Sequence, residues 1–276
     1  MKVKRILLGL GGTEYTPVAI RRAIELARRH EAEITGATVV DDSRLRDVGP
    51  VPVGGGRAAR ALREYRMDVT RKRVSEAIEV FRDCCATECV PSRLCQETGE
   101  PFSLMTNLAR YHDVMVFGLR SVFDCGLGVD PQDTLARLVR GGVHPLIAVS
   151  REYREIGRVL LAYSGSPQSA KTVRRFVQSR LWPGVRLRLL TCGRSADEAE
   201  DLLANMAAYC RAHGHTPEVE HSREQPGAGI LAAAAEWDAD LIVLGNGAGS
   251  LWLNRILGGT ALHVIRNADR PLYLSQ

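Results

Sequence analysis

The densest group of side chains able to do chemistry is a cysteine cluster: Cys84 and Cys85 adjacent, then Cys89, then Cys95. Thiolates bind soft metals such as zinc and carry redox chemistry. The spacing is not that of a Cys-x-x-Cys pair, and no His-x3-His follows. On a helix, Cys84 and Cys85 would point about 100° apart. A second group is glycine: Gly245, Gly247, Gly249, Gly258 and Gly259, closing on Thr260. Glycines let backbone N–H groups approach an anion, and a hydroxyl beside them adds a donor. The same composition also makes a plain tight loop from strand to helix.

A third group is basic. Residues 57–73 hold seven basic and two acidic side chains, an excess equal to the whole net charge of +5. The reading is a solvated helix face, or else a patch for phosphate-rich partners. Nothing in this stretch resembles a base-reading motif with aromatics, so sequence-specific nucleic-acid binding is not expected. His112, His144, His213 and His215 stand without a Ser or Cys partner in a recognisable motif. Lys171 does not follow a Gly-x4-Gly loop. A classical catalytic set is therefore not expected; slow ATP hydrolysis stays open.

These groups need a scaffold, and the chain repeats to make it. Arg5-Ile-Leu-Leu-Gly-Leu-Gly-Gly-Thr13 resembles Arg158-Val-Leu-Leu-Ala-Tyr-Ser-Gly-Ser166 at a shift of 153 residues, which also carries Arg21-Arg22 onto Arg174-Arg175. Asp113-Val-Met-Val-Phe-Gly118 matches Asp240-Leu-Ile-Val-Leu-Gly245 at a shift of 127, and Pro145 matches Pro271 at 126. Two copies of one domain follow, residues 1–151 and 157–276. At 276 residues, 45% hydrophobic and 25% charged, the chain suits two ordinary soluble domains. Aromatics are only 5%, so Val, Ile, Leu and Ala must build the core.

Each copy alternates strand and helix. Short apolar runs predict strands at 6–10, 34–40, 93–97, 114–118 and 146–150, then at 159–163, 186–192, 216–221, 241–245 and 272–275. Helical spacing predicts a helix beginning at Thr16-Pro17, with Thr16 as cap, and ending near His30. A long segment across 62–81 and helices at 102–111 and 134–140 follow. The second copy has helices at 169–179, 196–213, 227–237 and 260–267. Thr13 and Ser166 read as helix-cap hydroxyls. The fold class is α/β: two tandem doubly wound domains with parallel sheets and right-handed crossovers. Residues 41–56, with Pro50, Pro52 and the run Gly54-Gly55-Gly56, read as a loop at the carboxyl edge of the sheet. The apolar run 6–10 is too short for a signal-peptide core, and nothing approaches the ~18 apolar residues of a membrane span. A cytoplasmic protein is expected. Seven cysteines, an odd count that adds Cys125, Cys192 and Cys210, suit reduced thiols.

The order of these elements, twice in one chain, resembles the universal stress protein family in its tandem form. The resemblance rests on the turns Gly11-Gly12-Thr13 and Ser164-Gly165-Ser166, on the late Asp-x-hydrophobic strand ending in Gly, and on the final x-Pro-hydrophobic strand. It implies five parallel strands per domain, association through edge strands and pairing of the two domains as a pseudo-dimer. It also implies a homodimer through the edges at 146–150 or 272–275, and unidentified protein partners in stress or regulation. Some members bind ATP through Gly-x-x-Gly, nine residues, then Gly-Ser/Thr. Here Gly245, Asn246, Gly247 and Ala248, nine residues ending before Gly258, then Gly258, Gly259 and Thr260 keep that spacing. Ala248 stands at the second glycine and Gly259 at the hydroxyl position. A shifted frame through Gly249 restores both but needs one extra residue. The family's acidic residue at the end of the first strand is missing, with Gly11 and Ser164 in its places. The first copy lacks the glycine pair altogether. The resemblance thus implies a regulatory binding protein holding ATP, with Mg²⁺, in the second copy through Ser164, Gly165, Ser166 and residues 245–260. The alternatives are a nucleotide-free scaffold and a cysteine-based metal or redox protein.

Overall fold

The computed structural model describes residues 3–40, 54–119, 145–245 and 259–275. In the first half the short apolar runs become β1 (Arg5–Gly9), β4 (Val114–Gly118) and β5 (Leu146–Val149), almost wholly buried. β2 (Glu33–Val40) and β3 (Ser92–Thr98) complete that half, with α1 (Thr16–His30), α2 (Gly56–Thr87) and α3 (Pro101–Ala109) between them. The second half runs β6 (Arg158–Ala162), α4 (Pro167–Ser179), β7 (Arg186–Cys192), α5 (Ala196–Ala212), β8 (Glu218–Ser222), α6 (Pro226–Glu236), β9 (Leu241–Gly245), α7 (Gly259–Asn267) and β10 (Leu272–Ser275). The helix expected at 134–140 and most of the loop expected at 41–56 lie outside the described residues.

Each half is a parallel, doubly wound unit, and the two share one ten-stranded sheet in the order β3-β2-β1-β4-β5-β10-β9-β6-β7-β8. The seam is the only antiparallel pairing among the described strands, Leu272 opposite Ala148, Tyr273 opposite Ile147 and Leu274 opposite Leu146. Ile147 and Tyr273 are counterparts in the repeat, so the register is symmetric about their pair. This is the isologous arrangement of a two-fold dimer, built within one chain. The edges at 146–150 and 272–275, expected to receive a second copy, are therefore already paired with each other. Among the described strands β3 and β8 end the sheet, and both are polar and partly exposed, the usual way an edge is kept from aggregating.

The repeated Asp-x-hydrophobic motif has a mechanical role. One carboxylate oxygen of Asp113 accepts from the backbone N–H groups of Lys4 and Arg5 at 2.7 and 2.9 Å. Asp240 does the same for Gly157 and Arg158 at 3.0 and 2.8 Å. Each aspartate fastens the start of its half's first strand to the strand beside it.

Two cap expectations need correction. Tyr15, not Thr16, occupies the N-cap of α1, and Thr16 is the first helical residue. Its hydroxyl oxygen accepts from the Thr13 N–H at 2.9 Å, so Thr13 uses its backbone rather than a capping hydroxyl. Ser166 is the cap of α4, accepting from the Ser169 N–H. The long helix α2 leaves Arg57, Arg60 and Arg63 exposed along its first turns, a solvated basic face.

Candidate functional site

The second half opens a cleft where β6 and β9 end. Ser164, Gly165 and Ser166 turn the chain from β6 into α4. Gly165 needs its left-handed φ of 78°, and a Cβ there would lie 2.7 Å from the Leu202 side chain of α5. That turn stacks three hydroxyls at the first turn of α4. Ser164 Oγ lies 3.1 Å from Ser166 Oγ and 3.2 Å from Ser169 Oγ, and the latter two are 3.1 Å apart. A guanidinium nitrogen of Arg194 donates to the Ser164 carbonyl at 3.1 Å, holding the turn from outside.

Gly245 brings the end of β9 against the same turn. A Cβ at Gly245 would sit 2.9 Å from Ser169 Cα, a backbone atom that cannot yield. This glycine is thus required by close approach of strand to helix. Across from it, Gly259 and Thr260 begin α7. The first N–H groups of any helix have no intrahelical acceptor, and the macrodipole places partial positive charge there. The starts of α4 and α7 thus border one cavity of about 130 Å³, lined by Ser164, Ser166, Ser169, Gly245 and Thr260 on its polar side. Leu190, Ile230 and Leu244 form an apolar floor, and Cys192 completes the wall. Burial, with Glu220 and Glu224 nearby, pushes the Cys192 thiol up to about 11, so it is protonated at neutral pH. No carboxylate, lysine or histidine lines the cavity among the described residues.

Of the residues singled out in the sequence, Ser164, Ser166, Gly245 and Thr260 meet at this cavity, and Gly165 shapes the turn between the two serines. Gly259 lies at the helix start with open space beside it. Asn246, Gly247, Ala248, Gly249 and Gly258 lie outside the described residues. Ser169, Tyr163 and Cys192 also line the cavity. Ser169 had a sequence signal, its three-residue spacing from the cap Ser166, but its place in the cavity depends on the distant Gly245.

The first half differs at the matching place. Phe117, the counterpart of Leu244, lays its ring over Gly9, where a Cβ would fall 2.2 Å from the ring edge. Phe117 is fully buried, and the Leu119 N–H carries the pairing with β5 onward to the Val149 carbonyl at 2.9 Å. An aromatic ring thus stands where the second half has cavity wall.

The four described cysteines of the first half differ in their burial. Cys85 is buried on α2, Cys89 is exposed, and Cys84 and Cys95 are half-buried. Burial raises the thiols of Cys85 and Cys95. Among the described residues no three His, Cys, Asp or Glu side chains are grouped to hold a metal ion. No described helix is long and apolar enough to cross a membrane.

Two doubly wound α/β halves joined edge to edge, with a glycine- and serine-lined cleft at the strand ends of the second, define a tandem α/β architecture. The sequence model of the universal stress protein family matches residues 2–87 and 193–275, more than half of the chain. The chain belongs to the universal stress protein family. A universal stress protein from Archaeoglobus fulgidus DSM 4304 superposes over 100% of this chain and 97% of its own, with a TM-score of 0.70 and 18% identity. A functionally unknown protein from Pseudomonas aeruginosa PAO1 superposes over 99% of this chain and 92% of its own, with a TM-score of 0.63 and 12% identity. At such identities the likeness is one of fold. A search of curated proteins gave no match.

Proposed function

We propose that this tandem universal stress protein is a regulatory binding protein that holds ATP or a related nucleotide, one per chain, in the cleft of its second half. The observation that carries the reading is the convergence of two helix starts and three serine hydroxyls on one cavity, with Gly245 pressed against α4. Helix starts and clustered hydroxyls suit the oxygens of a phosphate or ribose. About 130 Å³ is room for part of a nucleotide, so the described walls would hold one end of it. Mg²⁺ would arrive on the phosphates, because no carboxylate stands on the described lining to bind it. The same lining lacks a general base, which favours binding over hydrolysis.

The test is thermal unfolding with and without ATP and Mg²⁺, for the wild type and for Ser164→Leu. Ser164 is exposed at the cleft mouth, so the larger side chain obstructs the cavity while sparing the core. Nucleotide at one hundred times its dissociation constant should stabilise the wild type by about 2.7 kcal/mol and leave the variant unmoved. No stabilisation of the wild type at millimolar nucleotide would leave the nucleotide-free scaffold as the function.

A further inference from the structure

The two halves differ in a second place, where the repeat supplies its own guide to the ligand. In the first half, the segment joining the two copies lies along α1. The Tyr153 ring sits under the Arg21 guanidinium at 3.6 Å and near that of Arg22 at 4.7 Å. The Tyr153 hydroxyl donates to Glu25 at 3.1 Å, Arg22 donates to the Arg154 carbonyl, and Arg151 pairs with Glu14 at 2.7 Å. A tyrosine-bearing strip of chain is thus the built-in occupant of the α1 groove.

At the shift of 153 residues, Glu14, Arg21, Arg22 and Glu25 become Pro167, Arg174, Arg175 and Gln178. Those four counterparts line a cleft of about 550 Å³ on α4, bounded across the seam by Val3 and Asp113. That volume falls within the ~300–1,000 Å³ of ordinary ligand clefts. The shape-giving arginine pair is kept; three substitutions make the lining more positive, and one, Arg28 to the lining Leu181, makes it less so. Glu14 gives way to Pro167, Glu25 to Gln178, and Val18 to Lys171, which also lines the cleft. On balance the α4 groove is more positive than its filled counterpart by two charges. Lys171 and Arg174 are exposed, and Arg174 keeps its guanidinium 5.7 Å from the Tyr209 ring.

We propose that the α4 cleft is a docking groove for an extended acidic peptide bearing a tyrosine, supplied by a partner protein. The aromatic ring would stack on the arginine pair as Tyr153 does on Arg21 and Arg22, since cations attract ring faces. Carboxylates on the peptide would answer Lys171 and the loss of Glu14 and Glu25, since charge complementarity selects partners. The groove lies on α4, the helix whose first turn also borders the cavity of the second half, but the inference does not depend on nucleotide binding there.

The probe is a synthetic, end-blocked, dye-labelled peptide of sequence Glu-Glu-Tyr-Glu-Glu-Ile, which copies the joining segment with its two arginines replaced by glutamate. Fluorescence anisotropy with the full chain should show saturable binding at one site. The peptide with Ala for Tyr, and the Lys171→Glu/Arg174→Glu protein, should each bind at least tenfold more weakly. Circular dichroism and the unfolding midpoint of the exposed-site variant check that it is folded; if it is not, Arg174→Gln takes its place and should weaken binding severalfold. Absence of binding overturns the proposal. So does binding indifferent to the tyrosine or to Lys171 and Arg174, or displacement by inorganic phosphate at concentrations matching the peptide, which would mark a simple anion site.

Discussion

The indole N–H of Trp182 donates to the Glu25 carboxylate at 2.9 Å, across 157 residues of sequence. Glu25 also receives the Tyr153 hydroxyl and the guanidinium of Arg22, a fully buried residue. One carboxylate on α1 therefore binds the first half, the joining segment and the loop after α4. Removing Glu25 leaves Arg22 buried without its counter-charge, which costs about 3 kcal/mol in comparable buried pairs. Glu25→Ala should lower stability by that amount in urea unfolding, and Trp182→Phe, which removes one hydrogen bond to a charged acceptor, by about 1.5 kcal/mol. Equal, near-zero effects for both would show that the halves are held by the strand seam alone.

Tyr273 stands at the centre of that seam with its hydroxyl buried and unpartnered among the described residues. Its ring packs edge-on against Phe176 at 5.2 Å between centroids, and burial pushes its hydroxyl far above the ordinary range. A buried hydroxyl without a partner costs about 1–3 kcal/mol of desolvation. Tyr273→Phe keeps the ring and removes the cost, so it should raise stability by about 1 kcal/mol. A loss of stability in thermal unfolding would mean that the hydroxyl is paired in solution.

His112 gives stability a pH slope. Its ring joins the Leu108 carbonyl at 2.7 Å to the Thr35 hydroxyl at 2.9 Å. Burial holds its pKa below the ordinary 6.5, outweighing the backbone hydrogen bond that favours the charged ring. His215 is lowered for the same first reason. On acidification the unfolded chain takes up these protons before the folded one. Stability is therefore complete above about pH 6.5 and falls as the pH drops towards the lower folded values. His112→Gln should flatten the slope of the urea midpoint between pH 7.5 and 5.5. An unchanged slope would assign it to other groups.

What the sequence made legible follows from how each feature is encoded. Strands such as Ile6–Leu8 and Leu241–Leu244 are buried on both faces, so they appear as unbroken apolar runs. The twin aspartates Asp113 and Asp240 do the same task in each half, and so survive as a repeat. Ser164, Ser166, Gly245 and Thr260 could be singled out because a turn, a close approach and a helix start each demand a residue type. The family resemblance implies that the two halves pair as a pseudo-dimer, as β5 and β10 do. The residues of those strands alone do not choose between that and a second copy, since an apolar edge strand looks the same whether its partner is its own chain or another. Ser169, Phe117 and the joint of Glu25 with Trp182 could not be read either, because their roles depend on contacts between distant segments. The Thr-Pro pair at 16–17 fits a cap by residue type alone, while the helix starts with Thr16 itself.

The asymmetry between the halves, a hydroxyl-lined cleft in one and the Phe117 ring in the other, is the core of the account. Calorimetric titration of ATP and Mg²⁺ into the wild type and Ser164→Leu tests it most directly. The account predicts one saturable site per chain in the wild type and none in the variant. Two sites per chain, or one that survives Ser164→Leu, would place the nucleotide elsewhere, and no heat at millimolar ATP would contradict nucleotide binding by this protein.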